Sequence, residues 1–135
     1  MNIIKDWSYL FTEVLYNLKE SRTILIVSNT SESKDFISTR LYEKFTLEER
    51  TFDFLRLTSQ TEIRDHETGC RVLIILPEEP FLTGRMPDYL AVEEDVMLDK
   101  EIAKIILTMK TNPKTLFALF SSYFNVYKNM KLLNI

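Results

Sequence analysis

The sequence predicts an α/β domain built on an open, mainly parallel sheet of three or four strands flanked by helices. Two unbroken apolar runs, Thr23–Val27 and residues 72–76, are the main observation behind this prediction. Neither run alternates with polar residues, which is typical of strands covered by helices on both faces. We therefore expect the two runs to form adjacent parallel strands at the centre of the sheet.

Composition sets the broad class of the protein. The 135 residues are 45% hydrophobic and 27% charged, with only two Gly and four Pro, as expected of a folded chain with one domain spanning residues 1–135. The net charge of −3 gives no general attraction to nucleic acid. No apolar run approaches the length needed to span a bilayer, so we expect a cytoplasmic protein without a membrane partner.

The first 20 residues are predicted to form an amphipathic helix. Its apolar positions recur at intervals of three and four residues: Ile4, Trp7, Phe11, Val14 and Leu18. We expect this face to pack on the sheet. The alternative is that Trp7 and Phe11 are presented to a groove on a partner protein.

Residues 28–33 link the first apolar strand to a second predicted helix. Asn29 and Glu32 have the spacing of a helix capping box. The loop would lie at the carboxyl end of a parallel strand, where ligands commonly bind, and the helix N-terminus could hold a phosphate. It contains no glycine for a close backbone approach, however, so capping is the favoured interpretation.

The middle of the chain offers weak candidates for chemistry. Residues 52–57 are predicted to be a strand nearer an edge, followed by a polar loop or short helix over 58–68. His66, the only histidine, is placed in a solvated turn before Gly69. Glu78 and Glu79 follow the second central strand, but no acidic residue follows the first one, so no metal site is predicted.

Two helices are predicted in the last third of the chain. Ile102, Ile106 and Met109 mark one face of the first helix. Asn112 and Pro113 are read as the start of the second, over 113–131. The second helix is rich in aromatic residues, and those predicted to divide between the core and a partner are Phe117, Phe120, Tyr123, Phe124 and Tyr127. Lysines accompany them, but the acidic block over 78–101 argues against direct contact with nucleic acid.

Three segments resemble the psi subunit of bacterial DNA polymerase III. They are Lys5-Asp6-Trp7 near the start, the order of strands and helices over 22–76, and Asn112-Pro113 followed by Ala118-Leu119-Phe120. The resemblance implies a non-enzymatic adaptor in DNA replication that links the clamp loader to a chi-like partner. It also implies that Trp7 contacts the clamp loader.

The predicted function is therefore protein–protein contact, with no catalytic residues, no cofactor and no metal. The alternative is a small α/β domain that binds a nucleotide or another phosphate-containing ligand at the carboxyl ends of its strands. The residues available for that site are Ser28, Asn29, Ser31, Glu78 and Glu79.

Overall fold

The computed structural model describes residues 3–123. Within that range, seven strands form one sheet in the order β1-β7-β6-β2-β5-β4-β3. The strands are β1 (Ile3–Ile4), β2 (Thr23–Val27), β3 (Phe52–Arg56), β4 (Gln60–Asp65), β5 (Arg71–Ile75), β6 (Tyr89–Glu93) and β7 (Leu116–Phe120). The α-helices are α1 (Trp7–Tyr16), α2 (Ser31–Leu47), α3 (Glu79–Leu82) and α4 (Lys100–Lys110), with a 3-10 helix over Glu94–Leu98.

The prediction of two adjacent, central, parallel strands is confirmed. β2 pairs in parallel with β5, from Thr23 beside Arg71 to Val27 beside Ile75, and it pairs in parallel with β6 on its other side. β4 is antiparallel to both of its neighbours, so it runs against the other described strands. β3 lies at the edge of the sheet, as residues 52–57 predict.

The unbroken apolar runs divide their side chains between two cores. Ile24 and Ile26 of β2 face α1 and α2, whereas Leu25 and Val27 belong to the core beneath α3, the 3-10 helix and α4. Successive side chains of a strand point to opposite faces, so a strand covered on both sides must be apolar at every position. The α/β class follows from this layering.

In the described part of the chain, the sheet has seven strands rather than the predicted three or four. The prediction of a loop or short helix over 58–68 is wrong over Gln60–Asp65, which forms β4. Two of its three inward side chains, Thr61 and Asp65, are polar but fully buried. They are satisfied by hydrogen bonds to Ser38 and Arg50 respectively, and neither partner is close in sequence.

The chain after Asn112 also differs from its prediction. Leu116–Phe120 forms β7, which lies in parallel between β6 and β1, so the helix predicted over 113–131 is wrong in this segment. The Asn112 side chain accepts a hydrogen bond from the Lys114 backbone N–H at 3.1 Å, within a turn that leads into the strand. Phe124 and Tyr127 lie outside the described residues.

The first helix is shorter than the predicted 1–20. Ile3 and Ile4 form β1 beside β7, and α1 begins after Asp6, whose carboxylate accepts from the Ser8 N–H at 2.9 Å. Asp6 is therefore the N-cap that ends the strand conformation and starts the helix. Across the described residues, no helix has the length and apolar character required to cross a membrane.

Candidate functional site

The main candidate site is a cleft where β2 and β6 end. Val27 and Val92 are paired at the carboxyl ends of these two parallel strands. The cavity has a volume of about 600 Å³, and its lining residues are Asn29, Thr30, Ser31, Glu32, Glu93, Asp95 and Tyr123. Ligands of open α/β sheets bind at this edge because loops and helix N-termini converge there.

The loop between β2 and α2 forms one wall of the cleft. Thr30, not Asn29, is the N-cap of α2, and its side chain accepts from the Ser33 backbone N–H at 3.1 Å. The predicted capping box of Asn29 with Glu32 is therefore wrong. The Asn29 backbone N–H instead donates to the Glu93 carboxylate at 3.0 Å.

Glu93, at the end of β6, is the centre of the site. Its side chain is only 2% exposed, and the Ser33 hydroxyl donates to the same oxygen, Oε1, that accepts from Asn29. The other oxygen, Oε2, accepts from the Tyr123 backbone N–H at 2.9 Å. A buried carboxylate needs such donors to offset the loss of water, so these bonds hold the β2–α2 loop, β6 and the chain after β7 together.

This arrangement resembles a phosphate-binding loop in part. Such a loop follows a strand, opens a helix and contains a glycine, four further residues, then Gly-Lys and Ser or Thr. Here Ser28, Ser33, Lys34 and Asp35 occupy those positions after β2. The spacing and the lysine are present, whereas the glycines and the final hydroxyl are replaced.

The lysine at this spacing is held away from the cleft. Lys34 is 1% exposed, and its amine donates to the Leu57 carbonyl at 3.2 Å and pairs with Asp35 at 3.0 Å. It also lies 3.5 Å from the Thr61 hydroxyl. Its role in this structure is to join α2 to the turn between β3 and β4.

The cleft brings together only some of the residues proposed for a ligand site. Asn29 and Ser31 line it, whereas Glu78 and Glu79 are exposed at the start of α3 and do not. Ser28 is fully buried, and its hydroxyl is the one described buried side-chain atom that lacks a hydrogen-bond partner. Glu93 is not among the site residues predicted from the sequence, although an apolar run ending in two glutamates, Tyr89 to Glu94, is a usable signal.

His66 lies in a turn, as predicted. Its Nε2 atom is 3.0 Å from the Asp53 carboxylate on the neighbouring strand, and its side chain is partly exposed. Among residues 3–123, no group of three or more His, Cys, Asp or Glu side chains is arranged to hold a metal.

The aromatic residues predicted to bind a partner lie in different environments. Trp7, Phe11 and Phe120 are buried in the core on the α1 and α2 side of the sheet. Phe117 and Tyr123 are half-buried. The role of these residues in partner binding stays a prediction. The same holds for Phe124 and Tyr127, which lie outside the described residues.

Comparisons with known proteins find similarity in structure and none in sequence. No family model and no curated protein sequence matches the chain. Solved structures of the large terminase from the thermophilic bacteriophage D6E match 92% of this chain with a TM-score of 0.61 and 11% identity, and one of that enzyme in complex with ADP has a TM-score of 0.61 and 12% identity. The ATPase domain of the Thermus phage P74-26 large terminase matches 85% of this chain with a TM-score of 0.51 and 12% identity.

The chain corresponds to only part of each matching protein. The chain spans about a third of the D6E terminase, at 34% and 33% in the two structures, and 54% of the P74-26 chain. At 11 to 12% identity, the likeness establishes a shared fold. That fold is an α/β fold found in large terminases.

The resemblance to the psi subunit is overturned. No sequence comparison supports it, and the structural matches are terminases rather than polymerase subunits. Two of its elements also fail: Ala118, Leu119 and Phe120 lie on a strand rather than a terminal helix, and Trp7 is in the core. The replication adaptor with a chi-like or clamp-loader partner is therefore wrong.

The expectation that the chain is not an enzyme is corrected on the same ground. The fold that it shares is that of an ATPase domain in the P74-26 terminase.

Proposed function

We propose that this chain is a nucleotide-binding α/β domain that takes its ligand as a magnesium complex in the cleft between β2 and β6. The contact between the Ser33 hydroxyl and the Glu93 carboxylate carries the proposal. Ser33 lies at the start of α2, and Glu93 lies at the end of β6, the strand beside β2. In phosphate-binding-loop proteins Mg²⁺ is held by a hydroxyl at the start of the helix and by a strand-end acid, and here Ser33, two positions before the loop's usual hydroxyl residue, would supply the hydroxyl.

The donor set fits magnesium. Mg²⁺ is usually held by one or two carboxylates together with substrate phosphates and several waters, so a full cage of protein ligands is not required. Glu93 would hold the ion together with the buried Ser33 hydroxyl that contacts it, and Asp95 lines the same cavity as Glu93. The metal would neutralise phosphate charge that the carboxylates of Glu32 and Asp95 would otherwise repel.

The N-terminus of α2 contributes a second attraction for the phosphates. The N-terminus of α2 carries a partial positive charge, and the backbone N–H groups of its first turn point toward the cleft edge of the sheet. The Asn29 N–H already binds an anionic oxygen, that of Glu93. The D6E terminase of the same fold has been solved in complex with ADP, which supports a nucleotide as the ligand class.

The differences from a complete phosphate-binding loop predict weaker binding. Side chains replace the glycines that would let the backbone approach phosphates closely, and Lys34 is directed to the Leu57 carbonyl. We therefore expect an affinity that depends strongly on magnesium.

The test is a calorimetric titration of the purified chain with ADP and with ATP, in magnesium and in EDTA, alongside an assay of phosphate release from ATP. We expect binding in magnesium and its loss in EDTA. Ser33→Ala and Glu93→Gln should each weaken binding about tenfold or more, as expected when a group that orients a metal is removed. Matched controls are Ser8→Ala and Glu101→Gln, which change an exposed hydroxyl and an exposed carboxylate outside the cleft.

Circular dichroism of each variant separates loss of binding from loss of fold, which matters because Glu93 also accepts bonds from two backbone N–H groups. If the folded wild type binds neither nucleotide in magnesium, the proposal is wrong. Equal binding by wild type and Ser33→Ala would remove the observation on which it depends.

A further inference from the structure

A separate cavity lies between α4 and the loop that joins α3 to β6. Its volume is about 590 Å³. The apolar part of its wall comes from Leu82, Met86, Ile105 and Met109, and the polar part includes Arg85 and Asn112. Among the described residues, none lines both this cavity and the cleft between β2 and β6. We call it the α4 cavity.

Helical spacing and one glycine turn produce the two sides of the α4 cavity. Ile105, Met109 and Asn112 are four and seven residues apart along the chain, so they share one face of the last turns of α4. On the other side, Gly84 has a φ of +79°, a left-handed conformation that glycine adopts without strain, and it turns the chain after α3. Met86 follows this turn and is 75% exposed, so the cavity is open to solvent on that side.

Arg85 is the charged group of the α4 cavity, and its charge has no partner in the described part of the chain. The side chain is half-buried, and its Nε–H donates to the Phe81 carbonyl. No ion pair or further hydrogen bond to its terminal N–H groups is found among residues 3–123. A guanidinium group in this state is suited to a carboxylate, which it can bind through two parallel hydrogen bonds.

The end of α4 adds a hydrogen-bond donor rather than an acceptor. The Asn112 side-chain oxygen already accepts from the Lys114 N–H at 3.1 Å, which leaves the amide NH₂ as a donor. The Met109 carbonyl accepts from the Asn112 backbone N–H at 3.4 Å. Lys110 in the last turn offsets the partial negative charge that the end of a helix would present to an anion.

We infer that the α4 cavity binds a small amphipathic carboxylate, with the carboxylate on Arg85 and the hydrocarbon part along Ile105 and Met109. An apolar cavity of this size with a few converging polar groups is typical of sites for small molecules. Methionine side chains adapt to the shape of an apolar ligand, which suits a flexible chain. The site is independent of the nucleotide cleft, because the two cavities have different walls.

The experiment titrates the purified chain by calorimetry with three eight-carbon probes: octanoate, octan-1-ol and octylammonium. The probes share a hydrocarbon chain and differ in the charge of the head group. We expect octanoate to bind about tenfold or more tightly than octan-1-ol, as is typical when a hydrogen bond to a charged group is gained, and octylammonium to bind more weakly still.

Two variants locate the site. Arg85→Met keeps an apolar side chain without the charge, so octanoate affinity should fall to that of octan-1-ol while octan-1-ol affinity stays as in the wild type. Arg64→Met is its matched control, because Arg64 is exposed and outside the cavity. Thr108→Phe fills the cavity from an exposed position of α4 and should abolish binding of all three probes, whereas Leu107→Phe, next to it but outside the cavity, should not.

Circular dichroism confirms that each variant is folded. Equal affinities of the folded wild type for octanoate and octan-1-ol, or no binding of octanoate, would overturn the inference. Octanoate binding that survives Thr108→Phe would also overturn it, because the probe would then bind elsewhere. Titrations with magnesium–ADP should give the same affinity for the wild type, Arg85→Met and Thr108→Phe, so failure of the nucleotide site and failure of this site are distinguishable.

Discussion

The Trp7 indole N–H donates a hydrogen bond to the Ser121 carbonyl at 3.1 Å, joining two residues that are 114 positions apart. Trp7 begins α1, and Ser121 directly follows β7. The ring is 4% exposed and makes an edge contact with Phe120, with their centroids 5.4 Å apart. Trp7 therefore connects the first helix to the last strand of the sheet, and this position explains why it is not a surface residue.

Replacement of Trp7 should destabilise the fold. Trp7→Ala should lower the free energy of unfolding by about 3 to 5 kcal/mol, because a buried aromatic ring is lost and a cavity remains. Trp7→Phe should cost less, since a ring still fills part of the space and mainly the hydrogen bond is lost. Urea denaturation followed by circular dichroism measures both values.

Tyr16→Ala is the matched control for that experiment, because Tyr16 lies on the same helix but is 77% exposed. Its unfolding free energy should change by less than about 0.5 kcal/mol. If Trp7→Ala were as mild as Tyr16→Ala, the tryptophan would not be part of the core.

The buried pair of Asp65 and Arg50 should make stability depend on pH. Burial raises the pKa of the Asp65 carboxyl, but hydrogen bonds from Arg50 and Thr68 lower it by more, so the pKa lies below its usual 3.8. A carboxyl with a depressed folded-state pKa contributes stability at pH values above its unfolded pKa, and this contribution is lost as pH falls through the folded value. We expect the free energy of unfolding to decrease below about pH 3.8.

Asp65→Asn isolates this contribution. It should cost about 3 kcal/mol near neutral pH, because Arg50 loses the carboxylate that faces it in a largely buried site. Its unfolding free energy should also decrease less than that of the wild type as the acid range is entered. Identical slopes against pH for the two proteins would show that Asp65 does not cause the acid sensitivity.

The sequence was most informative where burial is uniform. After their first residues, Thr23 and Arg71, β2 and β5 are covered on both faces, so the remaining positions had to be apolar, and the pattern alone placed them. β4 was missed because Thr61 and Asp65 are buried polar residues, whose partners Ser38 and Arg50 are brought to them only by the fold. Polar residues at inward positions remove the alternation of apolar and polar residues by which a strand is recognised in a sequence.

The C-terminal strand and the cleft illustrate two other limits. Phe117 and Phe120 are three residues apart, which fits a helix, yet Ala118 and Phe120 also fit the two-residue period of a strand that packs on the α1 and α2 core. Pairing with β6 and β1 decided between the two periods, and pairing is not visible in a local pattern. Glu93 was read as part of an acidic surface because its partner Asn29 lies 64 residues away.

The assignment of Leu116–Phe120 to a strand predicts different costs for its two ends. Phe120 is fully buried, and Phe120→Ala should lower the free energy of unfolding by about 3 to 5 kcal/mol. Leu116 is 54% exposed, and Leu116→Ala should cost less than about 1 kcal/mol. Chemical denaturation gives both values.

Phe117→Ala should lower the free energy of unfolding by an amount between the values for Leu116→Ala and Phe120→Ala. It is half-buried against the α3 and α4 core, and the Lys110 amine lies 4.8 Å from its ring centroid. Lys110→Met keeps an apolar stem without the charge and should cost about 0.5 to 1 kcal/mol, the typical value of an exposed cation–π contact. A larger loss for Leu116→Ala than for Phe120→Ala would contradict the orientation of β7 in the sheet.

The thiol of Cys70 should be unreactive in the native protein. Cys70 is fully buried before β5, and burial together with the nearby carboxylates of Asp65 and Asp88 raises its pKa to about 12. The nucleophilic form of cysteine is the thiolate, which is scarce near neutral pH when the pKa is this high.

We expect Ellman's reagent to label the thiol of Cys70 rapidly in concentrated urea, and to label it only through unfolding when urea is absent. Asp65→Asn supplies the control, because it should accelerate native labelling in proportion to the increase in the unfolded population when opening and closing are fast relative to the reaction. Labelling of the wild type at the same rate with and without denaturant would mean that the thiol is accessible in the native protein. Cys70 would then not be buried in the core.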